Sequence, residues 1–231
     1  MSSYKVQGKI RFKPSFLRRQ GKMTKAQKRY FREFWSEYGL DLLHGVQFSA
    51  TEYFGNEQPV TLEIGFGQAE TLLHRAQSEP ERNFIGIEVH KPAIANCLNQ
   101  LKQRNLNNVL LLKKDALLVC VDHLRDSLLD EICIFYPKPW EDAERRILRA
   151  QSIRFLQKHC RSGTDLYCTT DVEDYAFFAL REFSSCVGWE NQSSSSGFSI
   201  RPRWRQVSKY EKKAISEGRD SFDLHFRFQE Y

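Results

Sequence analysis

The stretch Leu62-Glu63-Ile64-Gly65-Phe66-Gly67-Gln68-Ala69-Glu70 leads from an apolar run through two glycines into a helical pattern. This order predicts a buried strand, a tight turn and a helix, and the glycines let the backbone approach a ligand closely. A dinucleotide-binding turn would hold a pyrophosphate at the helix N-terminus, where Glu70 disfavours an anion. The turn therefore indicates a nucleotide-like ligand with no phosphate at this point.

Strand-like and helix-like segments alternate on the C-terminal side of this turn. Strand-like runs occupy residues 60–64, 83–87, 109–112, 131–135 and 165–169, and an alternating run at 221–228 is typical of an antiparallel edge strand. Such alternation predicts an α/β fold, a Rossmann-like, mostly parallel, doubly wound sheet with an antiparallel C-terminal edge strand.

Acidic residues stand at the ends of the first three predicted strands. Glu63 lies beside the glycines, and Glu88 follows about twenty residues later, where a carboxylate can accept both hydroxyls of a ribose. Asp115, followed by Ala116, is suited to hold an adenine amino group at the same sheet edge. One such acid could be a helix cap or a solvated carboxylate. Three in register favour S-adenosylmethionine, which has ribose and adenine but a cationic sulfonium and no phosphate.

The N-terminal part of the chain is strongly basic. Residues 1–38 contain eleven Lys and Arg against Glu33 and Glu37, in a chain of net charge +6. Residues 1–22 have the composition of an arm that orders on a partner, and Thr24 is the expected N-cap of an aromatic-faced helix. This asymmetry favours a polyanionic partner, with a solvated charged face as the alternative. The predicted division is 1–50 for the basic arm and helix and 51–231 for the sheet domain.

Composition limits the remaining classes of function. The six cysteines form no CxxC pair, so the sequence predicts no metal site. We expect the cysteines to be reduced thiols buried in the core. No apolar run approaches the roughly 18 residues that cross a bilayer, and no signal-peptide core is evident. We expect a cytoplasmic protein with no metal and no membrane partner, and leave monomer and homodimer open.

Several motifs together resemble the TrmB family, the tRNA (guanine-N7) methyltransferases. The matching stretches cover most of the chain and lie at 16–27, 62–67, 86–90, 115–116, 170–175, 205–211 and 223–224. The resemblance implies transfer of a methyl group from S-adenosylmethionine to N7 of a guanine in the variable loop of tRNA.

The resemblance also implies roles for individual residues. Cofactor contacts would be Glu63, Gly65, Gly67, Glu88, Asp115 and Ala116. Substrate contacts would be Asp171, Arg205, Ser208, Lys209, Tyr210 and Glu211. Trp204, in a basic stretch, could either stack on an extruded base or anchor its loop to the core.

One motif departs from the family pattern. The family has Phe-Pro-Asp-Pro-Trp with a lysine two residues beyond, whereas this chain has Tyr136-Pro137-Lys138-Pro139-Trp140-Glu141-Asp142. Lys138 replaces the family aspartate and Asp142 replaces the family lysine. A second, milder departure is Ala69, where the family usually has a third glycine.

The exchange leaves two interpretations. Guanine N7 has a lone pair and needs no general base, so catalysis needs alignment and a carboxylate near the positive charge that arrives on the purine. In our hypothesis Asp142 supplies that carboxylate and contacts the substrate, while Lys138 holds a phosphate or pairs with Asp142. The alternative is a catalytically impaired, tRNA-binding relative. Methylation of another RNA base stays open as a further alternative. The basic arm argues against a small-molecule substrate, and Glu70 together with the lack of room for a separate substrate domain argues against a nicotinamide-dependent reductase.

Overall fold

A mostly parallel sheet of eight strands forms the centre of this computed structural model, which describes residues 4–6, 10–16, 21–43, 46–193 and 196–230. The strands are β1 (Tyr4–Val6), β2 (Ile10–Phe12), β3 (Gly39–Leu40), β4 (Val60–Ile64), β5 (Asn83–Ile87), β6 (Val109–Leu112), β7 (Leu129–Phe135), β8 (Cys160–Thr170), β9 (Trp189–Asn191) and β10 (Phe222–Phe228). The helices are α1 (Lys25–Tyr38), α2 (Ala50–Phe54), α3 (Glu70–Ser78), α4 (Lys91–Arg104), α5 (Ala116–Asp122), α6 (Ala150–Gln157), α7 (Glu173–Ser184) and α8 (Lys209–Ser216), with a 3-10 turn at Ala143–Arg145.

The strand order across the sheet is β3-β6-β5-β4-β7-β8-β10-β9. The first six of these strands are parallel, and β10 runs antiparallel to both β8 and β9. The predicted α/β class and mostly parallel sheet are confirmed. The C-terminal strand is antiparallel as expected, but it lies one position inside the edge because β9 pairs with its outer side.

Helices cover both faces of the sheet. On one face Leu62 and Ile132 belong to a core shared with α5, α6 and α7. On the other face Phe84 and Leu111 belong to a core shared with α1, α3 and α4. Burial on both faces explains why the central strands are almost continuously apolar in sequence.

The predicted N-terminal helix is present as α1. Thr24 caps it in a capping box with Gln27, as the sequence indicated. Tyr38 is buried, and α1 packs against α4 with its aromatic face. Lys25, Lys28, Arg29 and Arg32 are exposed.

The N-terminal part of the chain also contributes to the sheet. β3 follows α1 directly and pairs with β6, while β1 and β2 form a separate antiparallel hairpin. The division at residue 50 stays a prediction. Of the predicted arm, residues 1–3, 7–9 and 17–20 lie outside the described residues, as do residues 194–195 of the serine-rich stretch.

Candidate active site

The glycine turn after β4 has the left-handed backbone that the sequence implied. φ is +75° at Gly65 and +53° at Gly67, and a side chain at Gly65 would meet no atom within 4 Å. Ala69 also has a positive φ of +61°, a conformation that costs a non-glycine residue about 1–2 kcal/mol. The turn therefore holds Ala69 in a left-handed conformation and leaves open space at Gly65, just beyond the carboxyl end of β4.

Glu88 is fixed against this turn by backbone donors. Its Oε2 accepts from the N–H of Gly67 at 3.1 Å, and its Oε1 accepts from Val89 at 2.7 Å and His90 at 2.9 Å. A carboxylate has about four acceptor sites, so Oε2 can accept a further hydroxyl. The carboxylate is thus pre-oriented at the end of β5.

Asp115 caps α5 and has one oxygen without a partner. Its Oδ1 accepts from the N–H of Leu117 at 2.8 Å, whereas Oδ2 is buried and has no hydrogen bond within the described part of the chain. Burial raises the pKa of this carboxyl to about 6. Buried acceptors are normally hydrogen-bonded, so the lone oxygen at the end of β6 is matched to an incoming N–H donor such as an adenine amino group. Ala116, the first residue of α5, is buried beside it.

Glu63 lies deeper than the other two acids. It is 6% exposed, between Gly86 of β5 and Cys133 of β7 in the sheet register. Burial raises its pKa from 4.5 to about 8, against the opposing charge of Arg75. Near neutral pH it is therefore mainly an uncharged carboxyl beneath the glycine turn.

Substitution of Glu63 by glutamine is expected to reduce the pH dependence of stability. Between pH 4.5 and about 8 the folded protein keeps a proton on Glu63 that the unfolded chain has released. The free energy of unfolding therefore falls as pH rises through this window, by up to about 1.4 kcal/mol per pH unit. Urea unfolding of both proteins across this window measures the difference, and equal slopes would contradict the raised pKa.

The loop that follows β7 leaves the sheet beside the glycine turn, because β7 neighbours β4. Tyr136 has a φ of +49°, an outlier for a bulky residue, and its N–H donates to the carbonyl of Thr169 at 2.7 Å. Such strain is concentrated at functional sites. The backbone is therefore held in a left-handed conformation immediately before Pro137.

The two exchanged residues have separate surroundings in this loop. Lys138 is exposed, with its Nζ 5.8 Å from the centre of the Trp140 ring. Asp142 Oδ2 accepts from Lys13 Nζ at 2.9 Å, and Oδ1 accepts from the N–H of Glu144 at 3.1 Å. The hydrogen bond from Lys13 holds the pKa of Asp142 below its ordinary value. In the described part of the chain, Lys138 and Asp142 do not pair with each other, and Lys13 is a partner that the sequence did not indicate.

Arg205 and Glu211, both expected at the substrate, are buried against each other. Arg205 is 2% exposed, and its Nη1 donates to Glu211 Oε2 at 2.7 Å. Its Nε lies 3.2 Å from Asp223 Oδ1 on β10, and Arg201 donates to Glu211 Oε1 at 3.0 Å. Asp223 lies on an alternating strand that also carries His225 and Arg227, so its sequence context gave no specific signal for this network.

The other residues expected at the substrate surround this ion-pair network. Ser208 caps α8 by accepting the N–H of Glu211 at 3.2 Å, and Lys209 is exposed in the first turn. Asp171 follows β8 and pairs with Arg219. The side chain of Tyr210 lies outside the described residues.

Trp204 packs on the sheet beside the same network. The guanidinium carbon of Arg75 lies 4.1 Å from the centre of its ring, and Tyr167 meets it edge-on at 5.1 Å. Arg75 in turn pairs with Glu79 and Glu131. These contacts favour the interpretation of Trp204 as the anchor of its loop.

The described residues show no metal-binding cluster and no membrane-spanning helix. They contain no group of three or more His, Cys, Asp or Glu arranged to hold a metal ion. No helix among them has the length and apolar character to span a bilayer.

The chain is similar in sequence to known methyltransferases. A family model described as "Putative methyltransferase" matches residues 57–224. The tRNA (guanine-N(7)-)-methyltransferase of Colwellia psychrerythraea is 35% identical over 220 residues, 94% of this chain and 90% of the relative. The protein of the same name from Klebsiella pneumoniae is 34% identical over 215 residues, 92% of this chain and 90% of the relative.

Solved structures at low sequence identity share the fold. The 16S rRNA methyltransferase KamB superposes with a TM-score of 0.61 at 15% identity, covering 81% of this chain and all of KamB. The 16S rRNA (adenine(1408)-N(1))-methyltransferase of Catenulisporales acidiphilia, solved with cosubstrate SAM, has a TM-score of 0.56 at 12% identity and covers 81% of this chain and 96% of that one.

Proposed function

The chain belongs to the tRNA (guanine-N7) methyltransferase family, and we propose that its site transfers the methyl group of S-adenosylmethionine to N7 of a guanine in tRNA. The observation that best supports the cofactor is the buried Asp115 Oδ2, which has no partner in the described part of the chain. Asp115 follows β6 and Glu88 follows the neighbouring strand β5, so the two carboxylates can bind the adenine and the ribose of one adenosine. From the family resemblance we further propose the variable loop as the target.

The chain's own residues fit an adenosine with a cationic tail. Glu88 would accept the ribose hydroxyls through its remaining acceptor sites, and Asp115 would accept the adenine amino group. The backbone at Gly65 and Gly67 would lie against the ligand, with Glu63 and Ala116 lining the site from below. When bound, S-adenosylmethionine supplies an electrophilic methyl group on a positively charged sulfur.

Methyl transfer requires little proton chemistry. A bond forms from guanine N7 to the methyl carbon as the sulfur–carbon bond breaks, and the positive charge moves from sulfur to the purine. The protein must exclude water, align the two atoms and balance the charge on the purine. We assign the balancing carboxylate to Asp142, which as an aspartate is ionised near neutral pH, and whose pKa the hydrogen bond from Lys13 lowers further. The exposed Lys138 is assigned to a tRNA phosphate.

The C-terminal ion-pair network is proposed to shape the substrate side. Arg205 and Glu211 satisfy each other and hold the N-terminus of α8 on the sheet. Ser208, Lys209 and Tyr210 at that terminus, and Asp171 at the end of β8, would then contact the RNA from a fixed frame. In this assignment Arg205 and Glu211 position the substrate residues.

Transfer of a labelled methyl group from S-adenosylmethionine to unmodified tRNA tests the proposal, with the product nucleoside identified by mass spectrometry. We expect 7-methylguanosine in the variable loop. Binding of tRNA with no methyl transfer would instead identify a catalytically impaired relative, and a different methylated nucleoside would overturn the N7 assignment.

Substitution of Asp115 by alanine is expected to weaken S-adenosylmethionine binding by about 10- to 100-fold, because the adenine amino group loses an acceptor worth about 1.5–3 kcal/mol. Calorimetric titration of the protein with S-adenosylmethionine measures this loss. Asp115→Asn is the control, since it keeps an acceptor oxygen and the cap of α5 and should lose less affinity. Unchanged affinity in Asp115→Ala would remove Asp115 from the cofactor site.

A cytoplasmic location is also proposed. All six cysteines are free and buried, as is usual for proteins of a reducing compartment.

A further inference from the structure

A short N-terminal segment, residues 13–16, lies across the loop that follows β7. We call this segment the strap. Three consecutive carbonyls of the strap accept hydrogen bonds from two loop side chains. Arg145 donates to Pro14 at 3.0 Å and to Phe16 at 3.1 Å, and Trp140 Nε1 donates to Ser15 at 2.9 Å. The strap is therefore bound to the loop through its backbone, independently of its side-chain charges.

The two donors pack against each other. The guanidinium carbon of Arg145 lies 3.2 Å from the centre of the Trp140 ring, in a stacked cation–π contact. Planar guanidinium and indole groups lose little freedom when they are stacked in this way. The strap consequently docks on a prearranged surface next to Lys138 and Asp142.

Lys13, the first residue of the strap, binds the acids of the loop. Its Nζ lies 2.9 Å from Asp142 Oδ2 and 2.6 Å from Glu144 Oε2. Because the N–H of Glu144 binds the other oxygen of Asp142 at 3.1 Å, both carboxylate oxygens have a donor that fixes the plane of the group. With two carboxylates around its ammonium group, Lys13 is poorly suited to be a primary phosphate ligand.

An isolated exposed ion pair would contribute little here. Such pairs gain modest Coulomb energy and lose side-chain entropy when they are fixed. The backbone contacts of the strap change this balance, since they already hold Lys13 over the loop and lower the entropy cost of the pair. The pair can therefore define the direction of the Asp142 carboxylate even though both side chains are partly exposed.

We propose that Lys13 is a positioning residue for methyl transfer: from the N-terminal strap it orients the Asp142 carboxylate toward the purine. The inference rests on the role given to Asp142 under the proposed function. It makes the strap part of the active-site loop, in addition to any contact that the basic arm makes with tRNA.

Lys13→Ala tests the proposal in the full-length protein. Under single-turnover conditions at saturating tRNA and S-adenosylmethionine, we expect methyl transfer to slow about tenfold, because a misdirected group lowers the rate of an aligned reaction. The dissociation constant for tRNA should change less than about threefold, since a phosphate contact is not the main role of Lys13.

Two control variants accompany Lys13→Ala. Lys13→Arg should recover most of the rate. Lys158→Ala, which removes the same charge from an exposed site near the amino-terminal ends of β7 and β8, controls for net charge.

A double variant separates positioning from direct participation. If Lys13 acts through Asp142, then Lys13→Ala should have little further effect on the rate in an Asp142→Ala background. An additive loss would overturn the proposal. So would an unchanged rate in Lys13→Ala, or a rate that higher tRNA concentrations restore, which would make Lys13 a tRNA ligand.

A readout that needs no turnover distinguishes this inference from the proposed function. In protein labelled with 5-fluorotryptophan, the ¹⁹F resonance of Trp140, assigned with Trp140→Phe, reports on strap docking. Lys13→Ala should leave this resonance in place, because the backbone contacts hold the strap without Lys13. A shifted resonance would show that the variant undocks the strap, and would overturn a role confined to orienting Asp142. A wild-type protein that transfers no methyl group overturns the proposed function, whatever the ¹⁹F spectrum shows.

Discussion

Arg205→Ala is expected to lower the free energy of unfolding by about 3–5 kcal/mol, the usual cost of removing one partner from a buried ion pair. The guanidinium of Arg205 lies between Glu211 and Asp223, both buried, and neither can regain water when it is removed. Among the described residues, the change leaves Glu211 with only Arg201 as a cationic partner and the Asp223 carboxylate with only the hydroxyl of Thr169, where α8 meets β10. Urea unfolding followed by circular dichroism measures the loss.

Two variants make the Arg205 result specific. Arg203→Ala removes an exposed arginine two residues away and should change stability by less than about 0.5 kcal/mol. Arg205→Lys keeps the charge but cannot reproduce the forked contacts, so its stability should lie between those of wild type and Arg205→Ala. A stable Arg205→Ala protein that has lost only tRNA binding would return Arg205 to the set of direct substrate contacts.

Asp142→Ala is expected to reduce the single-turnover rate of methyl transfer by about 100-fold, the scale on which one preorganised electrostatic partner of a transition state contributes. Asp142 carries its charge at neutral pH and is oriented by Lys13 and the Glu144 N–H. The loss should appear in the rate at saturation, because charge develops on the purine only as the methyl group arrives. Single-turnover transfer of a labelled methyl group to tRNA provides the measurement.

The controls for Asp142 separate charge from local structure. Asp142→Asn keeps an oxygen that can cap the following 3-10 turn, so the loop should stay intact. Because this variant lacks the negative charge, it should lose nearly as much activity as Asp142→Ala. Glu141→Ala removes the adjacent exposed acid and should leave the rate within about twofold, since surface charges at a distance are screened. Full turnover in Asp142→Ala would make the exchange with Lys138 irrelevant to catalysis.

Much of the fold was accessible from the sequence because local patterns carry it. The apolar runs at β4 to β7 and the glycines at 65 and 67 predicted strands and a turn that the structure contains. β3 and β9 were missed, since strands of two or three residues are too short to show a period. Because β9 was not predicted, the C-terminal strand was placed at the edge of the sheet.

The candidate site likewise has features that local sequence patterns predict and features that depend on the packed chain. The sequence by itself determined that Glu63, Glu88 and Asp115 belong to one edge, because parallel strands bring their carboxyl ends together wherever the chain runs between them. Only the tertiary structure decided what each side chain does there. It left Asp115 Oδ2 without a partner in the described residues, turned Arg205 inward onto Glu211 and Asp223, and placed Lys13 against Asp142, 129 residues away. A strand end is fixed by local periodicity, whereas an ion pair between distant residues exists only after the whole chain has packed and its charges have lost their water.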